Sequence, residues 1–372
     1  MKRSVLTMLV AVMLTVGSFG SAIAGGKVVL GVPGAHSGDL AAYGLPTVEA
    51  AKLVVKAIND AGGVNGMQVA ISTQDDQCKP EFATNAAMKL LSDGVTVVLG
   101  HICSGATKAA LPIYKESNLV CMSPSATNPP LTQSGDYPNF FRTIASDDAQ
   151  AALAAKFAME KLGLKNIAII HDKGDYGKGF AEFAQKYVEE AGVKVALFEG
   201  VTPGAVDYSA VVQKIKSTGA DGVIFGGYHP EASKIVSQIR KKKMTIPFVS
   251  DDGVKGKAFI DIAGEAAEGV YATGPLDITG NPMYKVALDQ YKATHEGGEP
   301  GAFYFEAYSA ALALLKAIDN AKSTDYDKIV EALRTTEVET PVGNIKFDAK
   351  GDAIGVGFSV YQVKNGEYVE VK

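Results

Sequence analysis

The chain has 372 residues, more than one ordinary hydrophobic core accommodates, and this length suits two lobes of roughly 150 residues each. Apolar residues make up 47% and charged residues 21%, which is the composition of a globular protein. The formal net charge is −5 and the longest cationic run covers only residues 240–243, so the sequence argues against nucleic-acid binding.

The N-terminus has the layout of a cleaved secretory signal. Lys2 and Arg3 give it a positive start, residues 5–16 are mainly apolar, and residues 21–24 are mostly small, as a signal peptidase requires. The alternative is a membrane anchor, but the apolar stretch is shorter than the ~20 residues that span a bilayer. We therefore predict that residues 1–24 are a signal peptide and that the protein is exported.

The chain then alternates short apolar strands with amphipathic helices. The predicted elements of the first block are strand 27–32, helix 43–61, strand 69–73, helix 80–92, strand 95–99, helix 104–116 and strand 119–122. The pattern restarts after Arg142 with helix 147–162, strand 167–171, helix 177–191, strand 195–198, helix 208–217, strand 222–225, helix 231–242 and strand 247–249. This alternation is typical of a parallel sheet covered on both faces. Two such blocks predict an α/β protein with two doubly wound lobes.

The last third of the chain has a different pattern. It contains predicted helices at 282–294, 303–321 and 326–334 and extended segments at 344–347 and 357–362. These are too few strands for a third lobe, so we expect them to complete the first lobe and then the second. The predicted hinge therefore has three crossings, near residues 145, 275 and 355. The first lobe comprises residues 25–145 plus 276–355, and the second comprises residues 146–275 plus 356–372.

Three cysteines must be interpreted in the light of export, because an exported pair can oxidise. Cys78 follows one predicted strand and Cys103 follows another. If these strands are parallel neighbours, their loops share one edge of the sheet and a bridge between the two cysteines is feasible. Cys121 lies within an apolar run and is interpreted as a small buried hydrophobic residue. The cysteine spacings do not match a zinc site, and no metal or cofactor is expected.

Polar loops follow the strands of the first block. Open α/β sheets bind ligands beyond the carboxyl ends of their strands. Residues 100–107 lead into a helix, whose N-terminal N–H groups attract a carboxylate, and Ser104 adds a hydroxyl. Residues 123–129 offer hydroxyls and free carbonyls for a carboxylate and an ammonium group together. The alternative for both loops is ordinary helix capping.

Matching loops follow the strands of the second block, at residues 171–177, 226–231 and 250–253. Each places an aromatic or acidic residue at a strand end, facing the first lobe. A carboxylate there can pair with the ammonium group of a ligand. The alternative is an aspartate in an exposed turn.

Four histidines near strand ends suggest a rival interpretation as an enzyme. They are His36, His101, His171 and His229. However, Ser104 is not in a Gly-x-Ser-x-Gly turn, and the chain has no His-Glu-x-x-His helix and no glycine-rich phosphate loop. We therefore expect these histidines to hold loops by hydrogen bonds and the protein to have no catalytic residues.

The chain resembles the periplasmic leucine/isoleucine/valine-binding proteins of ABC importers over essentially all of its length after the signal. The most specific motifs are Gly100-His101-Ile102-Cys103-Ser104, Pro124-Ser125-Ala126-Thr127, His171-Asp172-Lys173 with Tyr176-Gly177, Gly226-Gly227-Tyr228-His229-Pro230-Glu231, and Ala263-Gly264-Glu265 with Glu268-Gly269. The resemblance implies the type I periplasmic-binding-protein fold and a disulfide between Cys78 and Cys103. Cys121 has no counterpart in the family pattern.

The resemblance also implies roles for individual residues of the site. Ser104 and the backbone N–H of Thr127 would hold the carboxylate of an amino acid, and the hydroxyl of Thr127 with the carbonyl of Ser125, next to Ala126, would hold its ammonium group. Tyr228 would contact the ligand from the second lobe. The apolar side-chain pocket would be formed by Tyr43, Ile102, Tyr176 and Phe303.

Two positions depart from the family pattern. Asp252 stands where the family has a glutamate for the ammonium group, and its side chain is shorter by one methylene group. Ser125 replaces a smaller alanine, although its carbonyl remains available. Both differences bear on which amino acid is preferred more than on amino-acid binding itself.

The sequence thus predicts the solute-binding component of an ABC importer. It would bind a branched-chain amino acid between its lobes and, by closing, become recognisable to an inner-membrane permease. We expect a monomer. A soluble sensor of the same fold for another small amino acid or amide is the main alternative, and a hydrolase is the remaining one.

Overall fold

The computed structural model describes residues 27–372, and the predicted signal peptide lies outside this range. The first sheet has five strands, all parallel, in the order β2-β1-β3-β4-β5. These strands are β1 (Val28–Gly34), β2 (Val69–Asp75), β3 (Val97–Leu99), β4 (Cys121–Ser123) and β5 (Phe140–Arg142). The helices between them are α1 (Ala41–Asp60), α2 (Pro80–Ser92), α3 (Ser104–Glu116) and α4 (Pro130–Gln133).

Both faces of this sheet are buried, as the nearly continuous apolar strands require. Because side chains alternate along a strand, Val28, Leu30 and Val32 pack on one face in a core that includes residues of α1 and of the later helix 304–321. The other face carries Val98 and Phe140 and packs against α2 and α3.

The second sheet has seven strands in the order β14-β13-β10-β9-β8-β6-β7. These strands are β6 (Asn166–His171), β7 (Lys194–Gly200), β8 (Gly222–Gly226), β9 (Phe248–Ser250), β10 (Tyr271–Pro275), β13 (Phe358–Lys364) and β14 (Glu367–Glu370). The first five of them are parallel, and β13 and β14 add to one edge in antiparallel orientation. The intervening helices are α5 (Asp147–Lys156), α6 (Asp175–Glu190), α7 (Ser209–Ser217), α8 (His229–Lys241) and α9 (Lys257–Ala263).

The last third of the chain returns to the first lobe before it reaches β13. It consists of helices α10 (Pro282–Thr294), α11 (Tyr304–Ala321) and α12 (Tyr326–Thr335) and a small antiparallel pair, β11 (Val338–Thr340) and β12 (Gly343–Ile345). Helix α11 supplies much of the first core, with Leu314, Leu315 and Ile318 fully buried. This architecture confirms the predicted α/β fold with two doubly wound lobes, and the positions of the lobe boundaries stay a prediction.

The sheet order specifies two features that the sequence left open. The strands before Cys78 and Cys103 are not adjacent, because β1 lies between β2 and β3. Residues 344–347 add no strand to the five-stranded sheet; β12 pairs with β11, and Ile345 and Phe347 join the first core through their side chains. Within residues 27–372, no helix is both long and apolar enough to cross a membrane.

Candidate functional site

The carboxyl ends of the two sheets' strands face each other across a small cavity. Seven of the ten predicted ligand-binding residues line it: Tyr43, Ile102, Ser125, Tyr176, Tyr228, Asp252 and Phe303. Cys103 and Gly253 complete its wall. The other three predicted residues do not line the cavity but are chain neighbours of residues that do: Ser104 follows Cys103, and Ala126 and Thr127 follow Ser125.

The polar wall of the first lobe is built from the N-terminus of α3 and the loop after β4. The backbone N–H of Asn128 donates to the Ser104 hydroxyl at 3.3 Å, which ties the two segments together. The Ser125 hydroxyl donates to the Ile102 carbonyl at 2.8 Å. No hydrogen bond within residues 27–372 involves the Thr127 N–H or the Ser125 carbonyl. Both groups are therefore available to a ligand.

Arg142 holds this loop from below, and sequence reasoning missed it. Its side chain is fully buried, and its Nε atom lies 2.5 Å from a carboxylate oxygen of Asp352. Its Nη1 atom donates to the carbonyls of Ala126 and Asn128 at 3.3 and 3.1 Å. A buried guanidinium with five donors can fix several acceptors at once. In the sequence, nothing near Arg142 distinguishes it from a surface arginine. Its acidic partner, Asp352, lies 210 residues further along the chain.

The disulfide lies beside the same wall. Cys78 and Cys103 are bonded, with their Cα atoms 5.4 Å apart, which confirms the predicted bridge. The bond joins the loop after β2 to the residue that precedes α3. The strands that lead to the two cysteines, β2 and β3, lie on opposite sides of β1. Cys121 is free and fully buried, as expected.

The second lobe contributes an acidic wall around Asp252. Its side chain is 2% exposed, and one carboxylate oxygen accepts a hydrogen bond from the Tyr176 hydroxyl. The backbone N–H of Gly253 donates to that same hydroxyl at 2.9 Å. The second carboxylate oxygen of Asp252 has no partner among the described residues. Burial raises the pKa of Asp252 to about 6.

Aromatic residues close the cavity from both sides. The Tyr43 hydroxyl donates to the Gly253 carbonyl and lies 2.6 Å from Nδ1 of His229, so it joins the two lobes. The Tyr43 ring is 5.7 Å from that of Tyr228 and 6.0 Å from that of Phe303. Phe303 has a φ of 59°, a conformation that bulky residues rarely adopt. Such backbone strain at a cavity wall is typical of a functional position.

The cavity is too small for an amino acid. Its volume is about 10 Å³, the space of one water molecule. An amino acid therefore enters only when the lobes separate or the aromatic side chains move. A wider cavity of about 500 Å³ shares Asp252 and Phe303 with it and opens between the lobes.

Two of the four histidines near strand ends, His101 and His171, make side-chain hydrogen bonds that support loops, as expected, whereas Nε2 of His36 has no partner among the described residues. His101 is fully buried between Asp76 and Tyr114, with its ring nitrogens 2.5 and 2.9 Å from their oxygens. Nδ1 of His171 accepts from the backbone N–H of Lys173 at 3.0 Å. Among the described residues, no group of three or more histidine, cysteine, aspartate or glutamate side chains could hold a metal ion.

Comparison with known proteins identifies relatives along the whole chain. A family model described as "Periplasmic binding protein" matches residues 27–367. A leucine-, isoleucine-, valine-, threonine- and alanine-binding protein of Pseudomonas aeruginosa is 39% identical over 368 residues, 99% of this chain and 98% of that protein. The Leu/Ile/Val-binding protein of Escherichia coli K12 is 36% identical over 330 residues, 89% of each chain. The resemblance inferred from the sequence motifs is thereby confirmed.

Solved structures agree with the fold. A leucine-binding protein of Thermotoga maritima superposes with a TM-score of 0.86 at 29% identity, covering 93% of this chain and 98% of that one. A branched-chain amino acid transporter substrate-binding protein of Streptococcus pneumoniae, solved in complex with isoleucine, gives a TM-score of 0.81 at 29% identity, covering 93% and 100%. These relatives are binding proteins.

Proposed function

Because this chain belongs to the periplasmic binding protein family, we propose that it captures leucine, isoleucine or valine between its lobes for an ABC importer. The main support is the meeting of a hydroxyl- and amide-rich wall, an unpartnered carboxylate oxygen of Asp252 and a set of aromatic rings at one cavity. A zwitterion is costly to desolvate unless both of its charges are matched. This cavity offers partners for both charges and for an apolar side chain.

In the proposed complex, the ligand carboxylate lies against the start of α3, near Ser104 and the Thr127 N–H. The ammonium group lies against the Ser125 carbonyl, the Thr127 hydroxyl and Asp252. Tyr43, Ile102, Tyr176, Tyr228 and Phe303 surround the side chain. We assign the protein no catalytic role and no cofactor.

Capture and release follow from the two-lobe architecture. Contacts from both lobes exist together only when the cleft is closed, so the ligand stabilises the closed form. We propose that an inner-membrane permease recognises that form, that the protein acts as a monomer in the periplasm, and that its first 24 residues direct its export.

A thermal-shift screen of the twenty amino acids tests the proposal. The purified protein is first unfolded and dialysed to remove bound ligand, then refolded with its disulfide intact. At a hundred times its Kd, a true ligand stabilises the folded state by about 2.7 kcal/mol. Leucine, isoleucine and valine should give the largest shifts, and threonine and alanine are informative because a relative's name includes them. If no amino acid raises the unfolding temperature, the proposal is wrong.

Asp252→Asn tests the assigned ammonium contact. The change removes the charge but keeps the side-chain size, so the Kd for leucine should rise about tenfold to a hundredfold, as for loss of a charge-assisted hydrogen bond. Isothermal titration calorimetry measures the effect. Asp277→Asn is the matched control, because Asp277 is an exposed acid on the neighbouring wider cavity. Equal Kd values for wild type and Asp252→Asn would remove Asp252 from the site.

A further inference from the structure

Four buried side chains next to the cavity carry polar atoms that lack partners. Thr127, Asp147, Gln150 and Asp252 are each at most 2% exposed. Within the described part of the chain, no hydrogen bond is made by Thr127 Oγ1, either carboxylate oxygen of Asp147, the amide oxygen and nitrogen of Gln150, or Oδ2 of Asp252. Buried polar groups are nearly always satisfied in folded proteins. The Thr127 hydroxyl adjoins Asp147 and the Gln150 amide adjoins Asp252, so each pair can satisfy part of its own demand, but neither carboxylate forms an ion pair within the described residues.

Helix α5 brings two of these residues to the ammonium side of the proposed site. Asp147 is its first residue, and its backbone N–H donates to the Thr127 carbonyl at 3.0 Å. The Asp147 carboxyl lies beside the Thr127 hydroxyl and within range of the Asp252 charge. Gln150 follows one turn later on the same helix face, and its amide adjoins Asp252.

The negative charges of Asp147 and Asp252 are not matched by the positive side chains nearby. The guanidinium of Arg142 is already bonded to Asp352, and the ammonium of Lys255 lies 4.2 Å above the Tyr361 ring. Burial, and then the neighbouring Asp252, raise the pKa of Asp147 well above its usual range. A buried pair of carboxylates therefore requires either a proton or a cation from the ligand. An ammonium group supplies one positive charge and three N–H donors.

We propose that Asp147 is a second anionic partner of the ligand's ammonium group, in addition to the Thr127 hydroxyl and Asp252. Together with the Ser125 carbonyl, these groups surround the three N–H donors of a primary ammonium group with four acceptors. The position of Asp147 at the start of α5, directly after the first crossing between the lobes, makes ammonium binding sensitive to the hinge. This inference rests on the proposed function and adds a specificity-determining residue to it.

Asp147→Asn tests the inference, with leucine as the probe in calorimetry. The Kd should rise about tenfold to a hundredfold, while the unfolding temperature of the ligand-free protein should stay the same or rise, because an unpaired buried charge is removed. Asp148→Asn is the matched control, since it makes the same change at the next residue of the same helical turn, where the side chain is half-exposed. It should leave the Kd within twofold of wild type.

Each other outcome overturns the inference. An unchanged Kd in Asp147→Asn would mean that the carboxylate does not contact the ligand. A lower unfolding temperature, or failure to fold, would mean that Asp147 has a structural role. Failure of the proposed function is distinct, because it appears in the wild-type protein as absence of amino-acid binding before any variant is made.

Discussion

At the residue scale, Asp252 is the group whose ionisation controls the proposed ammonium contact. Burial raises its pKa to about 6, and its near neighbours are the Tyr176 hydroxyl, the Gln150 amide, the Lys255 ammonium and two further acids, Asp147 and Asp251. An acid with a raised pKa carries its charge only above that value. Lowering the pH through 6 therefore neutralises the carboxylate that the ligand requires.

The affinity for leucine should consequently fall with acidification. Below pH 6, each pH unit should raise the Kd by up to about tenfold for one coupled proton. Neither α-group of leucine titrates between pH 5 and 7, so the effect belongs to the protein. Calorimetry at pH 7, 6 and 5 measures it, and the Asp252→Asn variant is the control because its profile should be flatter. Parallel profiles for the two proteins would show that another group is responsible.

The sequence was enough to predict site residues at strand ends. It was not enough to predict site residues that are distinguished only by being buried. The rule that ligands lie beyond the carboxyl ends of parallel strands was enough to select the loops that contain Ser104, Thr127 and Asp252, and the family resemblance singled out these residues within them. Nothing in the sequence distinguishes Asp147 from Asp148, and both are acceptable in the first turn of a helix. Only the packed structure shows that one is fully buried and the other half-exposed.

At the scale of elements, the Cys78–Cys103 disulfide fixes the start of α3 to the loop after β2. The bridge closes a loop with a sequence separation of 25 residues. The double variant Cys78→Ser, Cys103→Ser should lower the free energy of unfolding by about 3 kcal/mol, chiefly because the unfolded chain gains freedom. Urea denaturation measures the change. Dithiothreitol should destabilise the wild type but not the variant; if it affects neither, the bridge is absent in solution.

The close approach of α6 to β8 positions the two tyrosines of the second lobe. A Cβ atom added at Gly226 would lie 2.2 Å from the carbonyl oxygen of Gly177, and one at Gly177 would lie 2.4 Å from that of Gly226. The helix and the strand therefore meet backbone to backbone. Tyr176 precedes one glycine, and Tyr228 follows the other by two residues.

Gly226→Ala should separate these elements. We expect a loss of about 1–3 kcal/mol in the free energy of unfolding, as for other overpacked sites, and a higher Kd for leucine because Tyr176 moves relative to Asp252. Gly280→Ala is the control, since an added Cβ there meets no atom within 4 Å. Denaturation curves and calorimetry on both variants measure the effects, and wild-type stability in Gly226→Ala would contradict the argument.

Long elements could be predicted closely, and short ones could not. Helices 80–92, 104–116 and 282–294 have the predicted limits. Apolar periodicity defines all three, and a proline, Pro80 or Pro282, marks the start of two of them. The three-residue strand β5, the helix α9 and the strand β10 were missed. Periodicity needs several turns or alternations to become visible, and a buried three-residue strand such as Phe140–Arg142 offers only one.

At the scale of the whole molecule, the two lobes meet through a few polar contacts around the cavity. The Asn128 side-chain amide donates to the Asp175 carbonyl at 2.6 Å, and Lys108 forms an ion pair with the Asp175 carboxylate at 2.7 Å. The ion pair is half-exposed and contributes little. The Tyr43 hydroxyl is buried, and its bonds to the second lobe exist only while the cleft is closed. Tyr43 is therefore expected to influence closure most strongly.

Tyr43→Phe should shift the molecule toward its open form. The variant keeps the ring against Phe303 and Tyr228 but leaves the Gly253 carbonyl without its buried donor. This loss destabilises the closed form by roughly 1–3 kcal/mol. The open form loses less, because water replaces the hydroxyl there. Part of the binding free energy is then needed to close the lobes, so the Kd for leucine should rise about fivefold to a hundredfold. Small-angle X-ray scattering should give a larger radius of gyration for the ligand-free variant than for the wild type, and saturating leucine should restore the wild-type radius.

Tyr187→Phe is the control, because Tyr187 lies on α6 and packs in the second lobe's own core. If Tyr43→Phe matched the wild type in both radius and Kd, the closed form would not depend on this contact, and the aromatic wall alone would have to account for closure.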